Sequence, residues 1–477
     1  MNTSNPRALP HPLRALFAAS LIAASVGASA AACGITTDPG AADAAAEETG
    51  ARDSALPPGD AGADVAADTA TPADAATDTA PNDASADATA DAADSAADAS
   101  SDAADSATTA AADAADAADA ADARDAADSA VPPAPAVRFV GRWDTRSAQG
   151  PRAAYPASRV MARFDGTEVS VTMNNTTGFS GGPARYDVFI DGVLDPTQLV
   201  TVTGVSTYPL ASGLAPGVHS VELLKRTEGN LGVTTFMGFN FGAGTLLSPP
   251  PTPARRIEVI ADSTIDGYGV EGMGPNCPTT EQVIASHSPR LGVAGLVGGE
   301  LGADTIMVAY SGKGLYQNGY LPDTATMGVL YPRTLPDDAT SAWDFTRFVP
   351  DVVIISLGGT DYDASNPPAP LAGFTTKYEE LVAKVRLHAP NAHIFLTIYA
   401  QLKDVYPVGY FTRRNVRTAI NTVITNRAGL GDTKVYLHEW PESVPSQETG
   451  CQYHGNIALH RSLADHILPV IRAKTGW

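Results

Sequence analysis

Four short runs in the second half of the chain carry side chains able to do covalent chemistry: Ala261-Asp262-Ser263, Tyr310-Ser311-Gly312, Gly358-Gly359-Thr360-Asp361 and Cys451-Gln452-Tyr453-His454. A serine hydroxyl is a weak nucleophile at neutral pH and needs an adjacent base. A histidine can take that proton and later return it to a leaving hydroxyl. Ser263 with His454 would therefore support acyl transfer through a serine ester. A lone serine after a strand caps a helix equally well, so the case rests on the four runs together. His460 lies six residues past His454, well over one helical turn away, and reads as structural. No His/Cys cluster has metal-ligand spacing and no glycine-rich phosphate loop is present, so no cofactor and no metal are implied.

These runs need elements to hold them. Apolar stretches at 256–261, 305–309, 352–357, 393–398 and 434–438 read as strands of a sheet covered on both faces. Helical stretches lie around 288–302, 371–388 and 411–427, with a last one at 456–473. Such alternation predicts a parallel α/β sheet, whose active site sits at the carboxyl ends of the strands. Three of the runs directly follow strands, and the fourth precedes the last helix. Upstream, mixed runs at 160–164, 168–173, 186–190, 200–202, 220–225 and 234–241, separated by turns such as Asp165-Gly166 and Asp191-Gly192, predict an all-β sandwich. The proline-rich stretch 246–254 reads as a stiff linker.

The order of the runs resembles the SGNH (GDSL-type) hydrolases, whose blocks supply Ser, Gly, Asn and His. Longer phrases sharpen the match: RRIEVIADSTIDGYGVEG, VAYSGKGLY, LYPRTLP, WDF and GCQYHGN. These resemble carbohydrate esterase family 2, acetyl esterases with an N-terminal jelly-roll sandwich. Gly141-Arg142 and HSVELLKRTEG at 219–229 extend the resemblance upstream, so that it spans nearly all of 137–477. It implies a jelly-roll β-sandwich domain over 137–248 and an α/β/α SGNH hydrolase domain with a parallel sheet over 255–477.

The resemblance also assigns roles. Ser263 becomes the nucleophile and His454 its base. The oxyanion hole would use the backbone N–H groups of Ser263 and Gly312, together with an Asn side chain. Thr360 stands in place of that Asn; its hydroxyl can donate one hydrogen bond but is shorter than an amide. A lost oxyanion donor costs about 10²–10³ in rate. Asp361 reads equally well as a structural carboxylate bonding loop backbone. Ala261 stands where the family usually has Gly. Gln452 stands where it often has the Asp that orients the histidine, so Gln452 is expected to orient His454 through its main chain, in a Ser–His dyad. Glu439 and Glu442 are the alternative orienting carboxylates.

Cys277 lies in the loop after the nucleophile and Cys451 three residues before the base. Both loops should meet over the site. In an exported protein a disulfide between them is expected, two separate thiols being the alternative. Tyr310, Tyr316 and Tyr453 flank the runs and could stack on sugar faces. The resemblance points to O-acetyl groups on xylan or mannan, so the expected partner is an acetylated polysaccharide or oligosaccharide.

Composition completes the picture. The chain has 477 residues and a formal charge of −22. The segment 33–136 alone carries 23 acidic and 2 basic residues, and 137–477 is nearly balanced with 30 acidic and 27 basic. No basic excess is available to grip a phosphate backbone, which argues against a nucleic-acid partner. Residues 1–32 have the charged, apolar and small-residue regions of a signal peptide. Cys33 follows a run of alanines that resembles the lipobox of bacterial lipoproteins, so lipidation at Cys33 is one expectation and ordinary cleavage near Ala32 the other. A lipid there would be the sole membrane contact. The segment 33–136, almost all Ala, Asp, Ser, Thr and Pro, cannot bury enough apolar surface to fold and is expected to be a disordered tether. The expectation is an exported serine esterase, secreted or held at a bacterial cell envelope. The alternative is a catalytically impaired carbohydrate-binding surface lipoprotein on the same scaffold.

Overall fold

The computed structural model describes residues 136–319 and 323–477. The expected signal over 1–32, Cys33 and all but the last residue of the expected tether lie outside the described residues.

Ten strands form the first domain: β1 (Arg138–Val140), β2 (Arg152–Ala153), β3 (Arg159–Asp165), β4 (Val169–Thr177), β5 (Ala184–Ile190), β6 (Val193–Val202), β7 (Ser206–Ala211), β8 (Val218–Lys225), β9 (Gly232–Asn240) and β10 (Thr245–Leu246). They pair antiparallel in two sheets. One runs β1-β3-β8-β5-β6, with β10 also on β3; the other runs β2-β9-β4-β7. The period-2 pattern explains the sandwich. In β4, Val169, Val171 and Met173 are buried while Ser170 and Thr172 are only half-buried. These face Val160, Phe164, Tyr186, Val188 and Leu223 from the other sheet. The strand at 206–211 and the short pieces at 138–140, 152–153 and 245–246 were not among the expected runs.

The second domain is a five-stranded parallel sheet of β11 (Arg255–Ala261), β12 (Ala303–Ala309), β13 (Val352–Ser356), β14 (His393–Ile398) and β15 (Val435–Glu439), in the order β12-β11-β13-β14-β15. Every residue of β13 is buried, as a strand covered on both faces requires. The helices are α1 (Thr280–Ala285), α2 (Val293–Leu301), α3 (Met327–Leu330), α4 (Leu371–His388), α5 (Thr412–Gly429) and α6 (Ile457–Thr475). α2 packs against α6, and α4 against α5. α2 begins five residues later than expected, because Ser288–Gly292 is spent on a turn that returns N–H groups to the Ser288 carbonyl. α6 starts where the Asn456 side chain accepts the Leu459 N–H at 3.0 Å. Among the described residues no helix is long and apolar enough to cross a membrane.

The strand order places the switch point at β11 and β13, where connections diverge to opposite sides and a crevice opens at the carboxyl ends. The sandwich docks on this domain through buried charge. Arg142, wholly buried, donates to Glu258 Oε1 and the Arg333 carbonyl, each at 2.9 Å, and to the Tyr331 carbonyl. Its guanidinium lies 5.1 Å from the Tyr331 ring centre and 5.3 Å from that of Trp343.

Candidate active site

Ser263 sits two residues past the end of β11. Below it, the buried Asp262 accepts the Thr264 N–H at 3.0 Å and the Thr360 hydroxyl at 3.2 Å. One carboxylate thus stitches the turn after β11 to the turn after β13. Burial raises the Asp262 pKa, and these hydrogen bonds oppose the rise.

His454 reaches Ser263 from the loop before α6. Its Nε2 is 2.8 Å from Ser263 Oγ. Its Nδ1 is 3.2 Å from the Gln452 carbonyl and 3.2 Å from the Cys451 carbonyl. Two carbonyls can only accept, so the ring proton belongs on Nδ1 and Nε2 is left free to accept from the serine. Burial pushes the His454 pKa down to about 4, against the pull of those two carbonyls. The imidazole is therefore neutral and able to act as a base at ordinary pH.

The loop carrying His454 is built to aim those carbonyls. Gln452 and Tyr453 both adopt left-handed backbone, at φ 53° and 60°, a region costing L-residues about 1–2 kcal/mol each. The surroundings hold them there. The Cys451 N–H donates to Gly269 O at 2.8 Å, the Gln452 N–H to Pro275 O at 2.9 Å, and Gln401 Nε2 to Tyr453 O at 2.7 Å. The Tyr268 hydroxyl donates to Gln452 Oε1 at 2.6 Å, and the Tyr268 ring lies 4.5 Å from the His454 ring. Cys277 and Cys451 form a disulfide. Gly272 permits this approach, since a Cβ there would sit 2.3 Å from the Cys451 nitrogen.

The opposite wall carries the expected oxyanion donors. The N–H groups of Ser263 and Gly312 donate to no protein acceptor among the described residues. Gly312 has φ +74°, a conformation that favours glycine. The Thr360 methyl and Gly312 Cα lie 3.6 and 3.9 Å from where a Gly319 Cβ would stand, so the two residues are neighbours. The Thr360 hydroxyl itself is turned away from the role expected of it. Its hydrogen goes to the Asp262 carboxylate, the stronger acceptor. Asp361 is wholly buried and accepts the N–H groups of Leu315, Tyr316 and Gln317 at 2.9, 2.7 and 3.1 Å. Burial pushes its pKa up to about 6 despite those donors. It anchors the loop after Gly312.

Other expected residues fall elsewhere. Glu439 is paired with Arg413 and Arg417, and Glu442 lies 3.7 Å from Arg413; neither has a hydrogen bond to His454. His460 is buried and its Nδ1 accepts the Val293 N–H at 3.1 Å. Tyr310 offers no sugar-stacking face: it is 1% exposed, with its hydroxyl on Asp337 at 3.1 Å. Tyr316 and Tyr453 remain open, at 40% and 65% exposure. Sequence reasoning missed the Cys451 carbonyl as a second acceptor, Tyr268 as the clamp on Gln452, and Glu228 behind the Gly312 loop. All three lie inside phrases that carry the resemblance, Glu228 in HSVELLKRTEG, Tyr268 in RRIEVIADSTIDGYGVEG and Cys451 in GCQYHGN, but the phrases do not show what each side chain or carbonyl touches. Among the described residues, no group of three His, Cys, Asp or Glu is disposed to hold a metal.

An antiparallel sandwich docked on a parallel sheet with Ser and His meeting at its switch point defines an SGNH-type hydrolase architecture. Residues 139–251 match the family described as carbohydrate esterase 2 N-terminal, and 262–454 match the GDSL-like lipase/acylhydrolase family. The chain is 36% identical over 345 residues to the cellulase/esterase CelE of Acetivibrio thermocellus, covering 72% of this chain and 40% of that relative's length. It is 31% identical over 289 residues to an acetylxylan esterase / glucomannan deacetylase of Cellvibrio japonicus, covering 58% of this chain and 75% of that one. The solved structure of a family two carbohydrate esterase from Clostridium thermocellum in complex with cellohexaose is 34% identical, with a TM-score of 0.65, over 72% of this chain and all of that one. The chain belongs to carbohydrate esterase family 2.

Proposed function

We propose that this protein is an exported serine esterase that removes O-acetyl groups from a carbohydrate of the xylan or mannan type. The observation that carries the reading is the 2.8 Å contact of Ser263 Oγ with His454 Nε2, on a ring whose other nitrogen faces two carbonyls. His454 takes the hydroxyl proton as Ser263 attacks the acetyl carbon. The tetrahedral oxyanion is met by the N–H groups of Ser263 and Gly312. His454 then protonates the departing sugar oxygen, leaving acetyl-Ser263, and water hydrolyses that ester with His454 again as base. Tyr316 and Tyr453 supply exposed rings for the sugar. The relatives' acetylxylan and glucomannan activities support the substrate class. The signal-like residues 1–32 support export, and Cys33 supports attachment through lipid.

A second reading, a sugar-binding surface protein with little turnover, is favoured by one observation: the Thr360 hydroxyl is held by Asp262. Acetate release from acetylated xylan and glucomannan separates the two. The esterase reading expects release by the wild type and a fall of about 10⁴–10⁶ in kcat for Ser263→Ala and His454→Ala. No release from either polymer or from a small activated acetate ester would sink it.

A further inference from the structure

Glu228 belongs to the sandwich domain, three residues past β8, yet its carboxylate reaches the Gly312 loop of the other domain. It is 1% exposed. Ser311 grips it at two points: Ser311 Oγ donates to Oε1 at 2.8 Å and the Ser311 N–H to Oε2 at 3.3 Å. Ser311 is the residue whose peptide bond carries the Gly312 N–H. Peptide planes are rigid, so the direction of that N–H follows from how Ser311 is held. On the far side, the Gly312 carbonyl accepts the Gly319 N–H at 2.9 Å. Gly312 is thus fixed from both flanks, and one flank is Glu228.

The turn that bears Glu228 is itself braced. Lys225, wholly buried, donates to the carbonyl of Thr227 and to its hydroxyl at 3.0 Å. On the other side of Glu228 lies Asp266, three residues past Ser263 and 2% exposed, whose Oδ1 accepts the Tyr268 N–H at 2.9 Å. Burial first, and then the neighbouring Glu228 charge, hold the Asp266 pKa well above the ordinary carboxylate range.

We propose that Glu228 is a positioning residue of the active site, a carboxylate lent by the sandwich domain that aims the Gly312 N–H at the oxyanion by holding Ser311. The proposal rests on the esterase reading above, and its test is chosen to fail separately from that reading. Glu228→Ala, Glu228→Gln and Ser311→Ala are made in the full chain. Each is assayed for kcat and KM on p-nitrophenyl acetate and for amide hydrogen exchange over 310–316, with β14 as an internal reference. Glu228→Ala should lower kcat by about ten- to a hundredfold, within the loss expected of a misaimed oxyanion donor, with KM nearly unchanged. Exchange should quicken over 310–316 and not in β14. Glu228→Gln keeps one acceptor and should recover part of both effects. Ser311→Ala removes only the 2.8 Å bond, so it tests the idea even where Glu228→Ala fails to fold, and should lose a few-fold in kcat with the same local exchange.

Unchanged exchange over 310–316 in the Glu228 variants would overturn the proposal. So would a loss shared equally by β14, or a Ser311→Ala variant identical to wild type. An inactive wild type would overturn the esterase reading instead, leaving local exchange to decide whether Glu228 holds Gly312.

Discussion

The two walls of the cleft are held by opposite means. The His454 wall is fixed by main-chain carbonyls, two left-handed residues and a disulfide. The Gly312 wall is fixed by buried carboxylates: Asp361 under residues 315–317, Asp262 under Thr360, and Glu228 behind Ser311. Dipoles and a covalent bond orient the His454 imidazole, and burial keeps it neutral at ordinary pH. Carboxylates on the other wall collect N–H and O–H groups and lock a loop that Leu315 also pins to the core. Main-chain carbonyls thus face the His454 ring where the family resemblance would often put an Asp, whereas the Thr360 hydroxyl, held by Asp262, is not turned to the place of the expected Asn amide.

This contrast can be broken at the covalent end first. Replacing Cys277 and Cys451 together by serine should lower the unfolding free energy by about 2–5 kcal/mol, measured by denaturant titration. Unchanged stability would mean that backbone contacts alone hold the His454 wall. Next in size, Thr360→Asn should raise kcat by about ten- to a hundredfold, because an amide can donate past Asp262 to the oxyanion. A fall in kcat would show that the Thr360–Asp262 bond matters more than the donor. Smaller still, Gln452→Ala keeps the carbonyl and loses only the Tyr268 contact. Its kcat should drop by less than about tenfold, the worth of one hydrogen bond; a collapse to the level of His454→Ala would sink the main-chain account. Smallest is the change with pH. Since the His454 pKa is lowered to about 4, the neutral base persists as pH falls and is lost only near that value. The acid limb of kcat/KM should therefore lie well below the ordinary histidine range, with little change from pH 6 to 8. A limb near 6.5, the ordinary histidine value, would contradict the burial of the ring.

Much of this was legible because the second domain is made of strands that read as unbroken apolar runs. The helix at 371–388 has the expected limits, and each parallel strand lies within two residues of its expected bounds. The sandwich was harder. β7, Ser206–Ala211, contains Pro209 and has no clear alternation, and the two- and three-residue strands leave no periodic signal at all. In the site, the meeting of Ser263 with His454 followed from their places after β11 and before α6. Where the Thr360 hydroxyl points did not, since that depends on a competition with Asp262 decided in three dimensions. Nor did the burial of Tyr310, which follows β12 directly and is covered by Phe179 of the sandwich, its ring stacked 6.4 Å away.

Arg142 has a consequence for the molecule as a whole. A guanidinium from just after β1, sealed against Glu258 and two carbonyls of the other domain, cannot be withdrawn without stranding a buried carboxylate, at a cost of about 3–5 kcal/mol. The sandwich and the parallel sheet should therefore melt together in one cooperative transition, and a protease cut in the proline linker should nick the chain without setting the second domain free.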